Sequence, residues 1–212
     1  MSKKESFYYQ TEYFSKNFRT IAIDLTGFGE SKKLPFAYSL DDYVKDVKDT
    51  LDKLNIKRYD LICHSFGVRI GIRLCKTDCR VQKFVIIGGA GLKPKRKPSY
   101  YFKVYKYKFI KRFISNEKRL SYGSPEYKLL RGEMRDSYVK IVNEYQDKEV
   151  SLIKNKCLLI FGENDTETPL YLAKRFLKRL KNSTLYIVKD SGHFCFLEKP
   201  NEVNVIIKEF LN

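Results

Sequence analysis

Apolar residues in this chain keep two rhythms that take turns. Short apolar runs stand at 20–25, 59–62, 83–87, 156–161 and 184–188. Each has the length and β-branched content of a buried strand. Between them apolar positions recur at three and four residues, the spacing of an amphipathic helix. Val44, Val47, Leu51 and Leu54 make one such stripe. Ser39-Leu40-Asp41-Asp42 stands ahead of it as a capping-box start. Residues 68–74, 170–180 and 201–211 predict three more helices, the last with Val203, Ile206, Ile207 and Phe210 inward. Tyr8, Tyr9, Tyr13, Phe14 and Phe18 predict a helix within 1–19. Alternating strands and helices predict an α/β fold in three layers, with a mostly parallel sheet of about five strands covered on both faces.

The alternation stops at residue 92 and resumes at 156. Residues 92–119 are crowded with lysine, arginine and aromatic residues, and Glu117 is their only acid. Phe102, Tyr105, Phe109 and Phe113 recur at three, four and four. Residues 125–150 continue as helix, with Tyr127, Leu130, Met134, Tyr138, Ile141 and Val142 on one face. We read about 93–150 as a helical insertion that caps a site, its aromatic stripe turned inward. A membrane-surface helix is the rival. The segment is bracketed by core strands, so the cap is preferred and no stable membrane association is expected.

A chain of 212 residues suits one domain spanning 1–212. No apolar run is long enough to cross a bilayer. The first residues, Met1-Ser2-Lys3-Lys4-Glu5, are polar and lead into no signal-peptide core, which predicts a cytoplasmic protein. Five scattered cysteines imply no disulfide framework. Cys75 and Cys79 lack a second ligand pair, so no metal is expected. The formal charge of +17 permits nucleic acid, membrane or acidic substrates as partners. With no nucleic-acid-binding motif in the chain, a lysine-rich solubilising surface is the simpler account.

The chemistry gathers at strand exits. Cys63-His64-Ser65-Phe66-Gly67 joins an apolar run to a helix, so it reads as a nucleophile elbow. Such a turn lifts Ser65 above the sheet and aims the first helical N–H groups at the same spot. Small residues are needed on either side; Cys63 occupies a slot where the usual pattern has glycine. Asp165 follows the run at 156–161, and His193 follows the run at 184–188. In a parallel sheet these loops share one edge. A serine hydroxyl needs a base, an imidazole can serve, and a carboxylate can fix its tautomer. Glu163 and Glu167 are rivals of Asp165 for the acid. His64 should point elsewhere, leaving His193 as the base.

The order Ser65, Asp165, His193 resembles the α/β-hydrolase superfamily. So do the elbow, Asp24-Leu25-Thr26-Gly27-Phe28-Gly29-Glu30-Ser31, Phe161-Gly162-Glu163-Asn164-Asp165, and 192–200 from Gly192-His193 to Lys199-Pro200. The likeness covers nearly the whole chain and is strongest to small cytosolic esterases, lactonases and carbon–carbon-bond hydrolases. It implies a cofactor-free, metal-free serine hydrolase acting on a small ester, thioester or related acyl substrate through an acyl-enzyme. Ser65 would attack, His193 would act as base, Asp165 would orient it, and the N–H of Phe66 would hold the oxyanion. The chain departs from the family at its start. Family members carry earlier strands and a His-Gly loop that gives a second oxyanion donor. Without the third family strand, the run at 20–25 must pair directly with 59–62 or the sheet is split. An N-terminally truncated fold is therefore expected. The alternative function is a weak or inactive remnant with at most a binding role.

Overall fold

The computed structural model describes residues 3–96, 98–114, 122 and 125–212. Its centre is a parallel sheet of four strands: β1 (Tyr59–His64), β2 (Val81–Ile87), β3 (Lys156–Gly162) and β4 (Ser183–Val188), in the order β1-β2-β3-β4. Register sets Leu61 beside Phe84, His64 beside Ile87, Ile87 beside Ile160 and Gly162 beside Val188. All four C-terminal ends therefore open onto one edge.

Alternation along β2 and β3 assigns each side chain to a face. Phe84, Ile86, Cys157, Leu159 and Phe161 meet Val68 and Ile72 of α3 (Phe66–Thr77) and Leu172, Ala173 and Phe176 of α8 (Leu170–Arg179). Val85, Ile87, Leu158 and Ile160 turn the other way. They meet Phe14 of α1 (Tyr8–Phe14) and Val203, Ile207 and Phe210 of α9 (Pro200–Leu211). Both faces of the two central strands are largely buried, as expected for strands read as unbroken apolar runs. Each fully buried side chain of this kind contributes roughly 1.5–3 kcal/mol. A third cluster joins Val44, Val47 and Leu51 of α2 (Leu40–Lys53) to Ile70 and Leu74 on the outer face of α3. The start of α2 is the expected capping box. Ser39 Oγ accepts the Asp42 N–H at 3.3 Å, and the Asp42 carboxylate accepts the Ser39 N–H at 2.8 Å.

Two expectations are corrected. The run at 20–25 is not a fifth strand, because among the described residues no ladder joins it to β1. Ile23 and Leu25 pack against the α2 cluster instead. Asp24 folds the loop that follows: its carboxylate accepts the N–H of Lys4 at 2.8 Å and of Glu30 at 3.1 Å. A β-rich run becomes a strand only with a neighbour about 4.8 Å away to pair with. The second correction concerns α4 (Pro98–Ile110). It is helical as predicted, but it turns Val104, Tyr107 and Ile110 partly inward and leaves Phe102, Tyr105 and Phe109 exposed. The remainder of the basic stretch, 115–121, lies outside the described residues.

Further along are α5 (Pro125–Leu129), α6 (Gly132–Val142) and α7 (Asp147–Val150). Here the inward face matches the prediction: Leu130 and Ile141 are buried and Met134 packs on the α2 cluster. Arg69 of α3 anchors this region. Its guanidinium donates to the carbonyls of Ile141, Val142 and Glu144 at 3.2, 3.3 and 2.7 Å. These carbonyls lie at and just past the C-terminus of α6, where positive charge is favoured. Gln146 closes the link from below by donating to the Arg69 carbonyl at 2.9 Å. Ser137 meets the Tyr38 N–H at 2.7 Å. Among the described residues no helix is long and apolar enough to cross a membrane.

Candidate active site

Ser65 stands between β1 and α3 with φ 49° and ψ −112°. A non-glycine residue at positive φ is strained, and it persists only where its surroundings fix it. Backbone bonds do so here. The Ser65 N–H donates to Ile87 O at 3.0 Å, and the Ser65 carbonyl accepts from Val68 at 3.1 Å and Ala90 at 3.4 Å. The serine is thereby pinned to the exit of β2. Phe66 opens α3, so its N–H has no carbonyl one turn back to bond.

Cys63 fits the elbow for a reason lying a turn beyond it. A Cβ on Gly67 would meet only Cys63 Cβ at an ordinary 3.8 Å. A Cβ on Gly71 would lie 2.6 Å from the Phe84 ring and 3.1 Å from Cys63 Sγ. The space for the sulfur is therefore made at Gly71. Burial pushes the Cys63 thiol up to about 12, so it packs as a neutral group.

His193 and Asp165 meet directly. The imidazole Nδ1–H donates to Asp165 Oδ2 at 2.8 Å. Thr168 Oγ1 donates to the same oxygen at 2.7 Å. The N–H groups of Glu167 and Thr168 donate to Oδ1 at 2.9 and 2.8 Å. Burial would raise the Asp165 pKa, but the bonds from His193 and Thr168 bring it below the usual carboxylate value. The two rivals for the acid have other places. Glu163 accepts the Asp190 N–H at 3.2 Å and braces the turn after β4. Glu167 reaches the opposite side of the ring, its Oε2 lying 3.3 Å from Nε2, with the side chain 55% exposed against 0% for Asp165.

Three residues that the sequence reading left without a part in the site complete the setting. Thr168 binds Asp165 as described. Gly88, at φ 51°, leaves room for the ring: a Cβ there would lie 3.1 Å from His193 Cε1 and Nδ1. His64 is buried below, its ring centroid 4.6 Å from that of His193, and its Nε2–H donates to the His193 carbonyl at 2.9 Å. Burial, with His193 beside it, pulls the His64 pKa down to about 4. His64 is thus neutral near pH 7 and braces the loop from beneath. The glycine exit after β2, Gly88-Gly89, was the one visible signal for this packing.

The loops of Asp165 and His193 are joined at Gly162. A Cβ there would fall 2.1 Å from Gly192 O and 2.6 Å from Ser191 O. The Asn164 N–H donates to Ser191 O at 2.8 Å. Ser65, Gly88, Asp165 and His193 therefore occupy neighbouring strand exits, with Asp165 and His193 in contact and Ser65 tied to the exit of β2. Among the described residues, Glu5, Asp24 and Glu30 are close enough to share a cation. Lysines already serve them: Lys4 donates its N–H to Asp24 and its ammonium to Glu30, and the Lys3 ammonium lies 3.8 Å from Glu5.

The model of the alpha/beta hydrolase family matches residues 4–205. The chain belongs to this family. Among its relatives is an uncharacterized hydrolase of Bacillus subtilis, YugF, 30% identical over 90% of this chain and 79% of that protein. A 2-hydroxy-6-oxo-2,4-heptadienoate hydrolase of Pseudomonas putida is 22% identical over 93% of this chain and 79% of its own length. The fold is also that of a meta-cleavage product hydrolase from Pseudomonas fluorescens, with a TM-score of 0.75. That alignment covers 100% of this chain and 86% of the other at 22% identity. The α/β hydrolase has the three-layer parallel-sheet architecture predicted from its alternating strands and helices. It is a hydrolase by family.

Proposed function

We propose that this α/β hydrolase is a serine hydrolase acting on a small ester, thioester or related acyl substrate. Ser65 attacks the carbonyl, His193 takes the serine proton through Nε2, and Asp165 holds the ring through Nδ1. The N–H of Phe66 receives the developing oxyanion at the positive end of α3. As the intermediate collapses to the acyl-enzyme, the His193 imidazolium gives the serine proton to the leaving alkoxide or thiolate. His193 then deprotonates a water, which attacks the acyl carbon, and returns the proton to Ser65 as the acid leaves. The observation that carries the reading is the Nδ1–Oδ2 bond of 2.8 Å between two buried groups, at the same sheet edge as a serine in a strained turn. A carboxylate with four donors is fixed in place and aligns the imidazole without being free to leave it. The helices between β2 and β3, tied down through Arg69, serve as a cap over this edge and as its source of specificity. A relative named as a 2-hydroxy-6-oxo-2,4-heptadienoate hydrolase supports a substrate with a carbonyl at the reacting centre. Expression in the cytoplasm is consistent with five free cysteines.

The test is hydrolysis of a p-nitrophenyl ester together with labelling by a fluorophosphonate. The wild-type chain should turn over the ester and gain the phosphonyl mass on the peptide containing Ser65, and Ser65→Ala should lose both. Turnover of the ester that survives Ser65→Ala unchanged would overturn the reading. So would absence of both turnover and label in a folded wild-type chain, which would favour the inactive remnant.

A further inference from the structure

The aromatic stripe of α4 points away from the protein. Phe102, Tyr105 and Phe109 are 72%, 76% and 69% exposed, and Phe113, just beyond the helix, is 77% exposed. Tyr101 continues the stripe at its edge. At 100° per residue Phe102, Tyr105 and Phe109 fall within about 60°, with Tyr101 on their flank. Val104, Tyr107 and Ile110, which are partly buried, lie on the opposite side. The helix therefore rests on the protein through one face and presents a continuous aromatic face to the outside. Scattered exposed hydrophobes need no explanation, but a contiguous stripe of this kind marks an interaction surface.

Charge says what the surface meets. Residues 93–112 contain nine lysines and arginines and no acid. Lys106 and Lys108 are exposed and stand on either flank of the stripe. Rings between flanking cations suit the boundary between lipid head groups and acyl chains: the rings sink into the boundary while the amines reach the phosphates. Tyrosine is at home at that depth, and phenylalanine belongs to the buried face of such helices. A second copy of the chain is disfavoured, because pairing two such faces would bring like charges together without an acid to answer them. We propose that α4 docks the protein on an anionic membrane surface. The reading is independent of the chemistry at Ser65.

Flotation of the full chain with vesicles at about 0.15 M salt provides the test. Phosphatidylcholine vesicles with and without phosphatidylglycerol are compared, using wild type, Phe102→Ser/Tyr105→Ser/Phe109→Ser, and Lys106→Glu/Lys108→Glu. Wild type should float with the anionic vesicles and much less with phosphatidylcholine alone. The aromatic variant keeps every charge, yet its bound fraction should fall about tenfold or more, since buried apolar area sets much of the affinity. The charge-reversed variant should fall likewise. Circular dichroism should be unchanged in both variants, whose substituted side chains are exposed. Failure of wild type to bind would overturn the proposal. An aromatic variant that binds as well as wild type would also overturn it, since non-specific attraction by lysines would then suffice. A wild-type dimer on gel filtration that the aromatic variant dissolves would assign the face to a second copy. Equal retention on an oligonucleotide, lost in the aromatic variant without vesicle binding, would assign it to nucleic acid.

Discussion

At the scale of single residues, two carboxylates flank one imidazole and only one is built in. Asp165 is buried with four donors, whereas Glu167 touches Nε2 from an exposed position. Asp165→Asn should therefore lower kcat by about 10⁴-fold, because the amide would favour the wrong tautomer. Glu167→Gln should change kcat by less than about tenfold, the range of a group that is not required for proton transfer. Steady-state rates on a nitrophenyl ester check both, and a larger loss at Glu167 would exchange their roles. His64 gives a pH prediction. Its folded pKa of about 4 lies below the 6.5 of an exposed imidazole. The unfolded chain thus binds a proton that the folded chain refuses between these values. Stability from this group is whole above about pH 6.5 and declines as pH falls toward about 4, by roughly 3 kcal/mol in total. His64→Gln should flatten that part of the urea-midpoint profile; an unchanged slope would remove His64 as its source. The places of Ser65, Asp165 and His193 at strand exits are legible in the sequence because each follows an apolar run. Thr168, Gly88 and His64 are not, because their value lies in contacts between loops far apart in sequence.

At the scale of elements, the requirement for small residues sits elsewhere than the elbow motif suggests. Gly71→Ala gains helix propensity of up to about 1 kcal/mol. It also drives a Cβ against a rigid ring at 2.6 Å and the Cys63 sulfur at 3.1 Å. Overpacking of this kind costs about 1–3 kcal/mol, so a net loss in urea midpoint is expected. Cys63→Ala in the same background should recover part of it, and no recovery would place the strain at Phe84 alone. Gly162→Ala should be worse, above about 3 kcal/mol, because the Cβ meets backbone carbonyls that cannot swing aside. The four observed strands were readable as apolar runs, and the α2 start as a capping box. The run at 20–25 misled because pairing depends on a neighbour and not on the run itself. The α4 stripe misled because periodicity reports which residues share a face. It does not report which way that face turns.

At the scale of the whole molecule, the alternating rhythm was enough to reach the three-layer architecture, since two-sided burial of parallel strands leaves few other arrangements. Composition reached further into behaviour than into fold. A formal charge of +17 on 212 residues leaves cations far in excess of acids. Self-repulsion then works against the compact state. Added salt shortens the range of this repulsion, to about 8 Å at 0.15 M. It also weakens exposed pairs such as Lys45–Asp49, but such pairs are worth only about 0–1 kcal/mol. The Arg80–Asp78 pair is largely shielded from solvent and loses less. Relief of repulsion should therefore win, and the melting temperature should rise as sodium chloride is raised from a few millimolar to about 0.15 M. Calorimetry across a salt series near neutral pH measures this directly. The Lys106→Glu/Lys108→Glu variant, which lowers the net charge by four, should gain less from the same salt. A wild-type melting temperature that stays flat or falls would mean that the acids already answer the excess locally, and that the charge of this protein acts outward on partners without straining the fold.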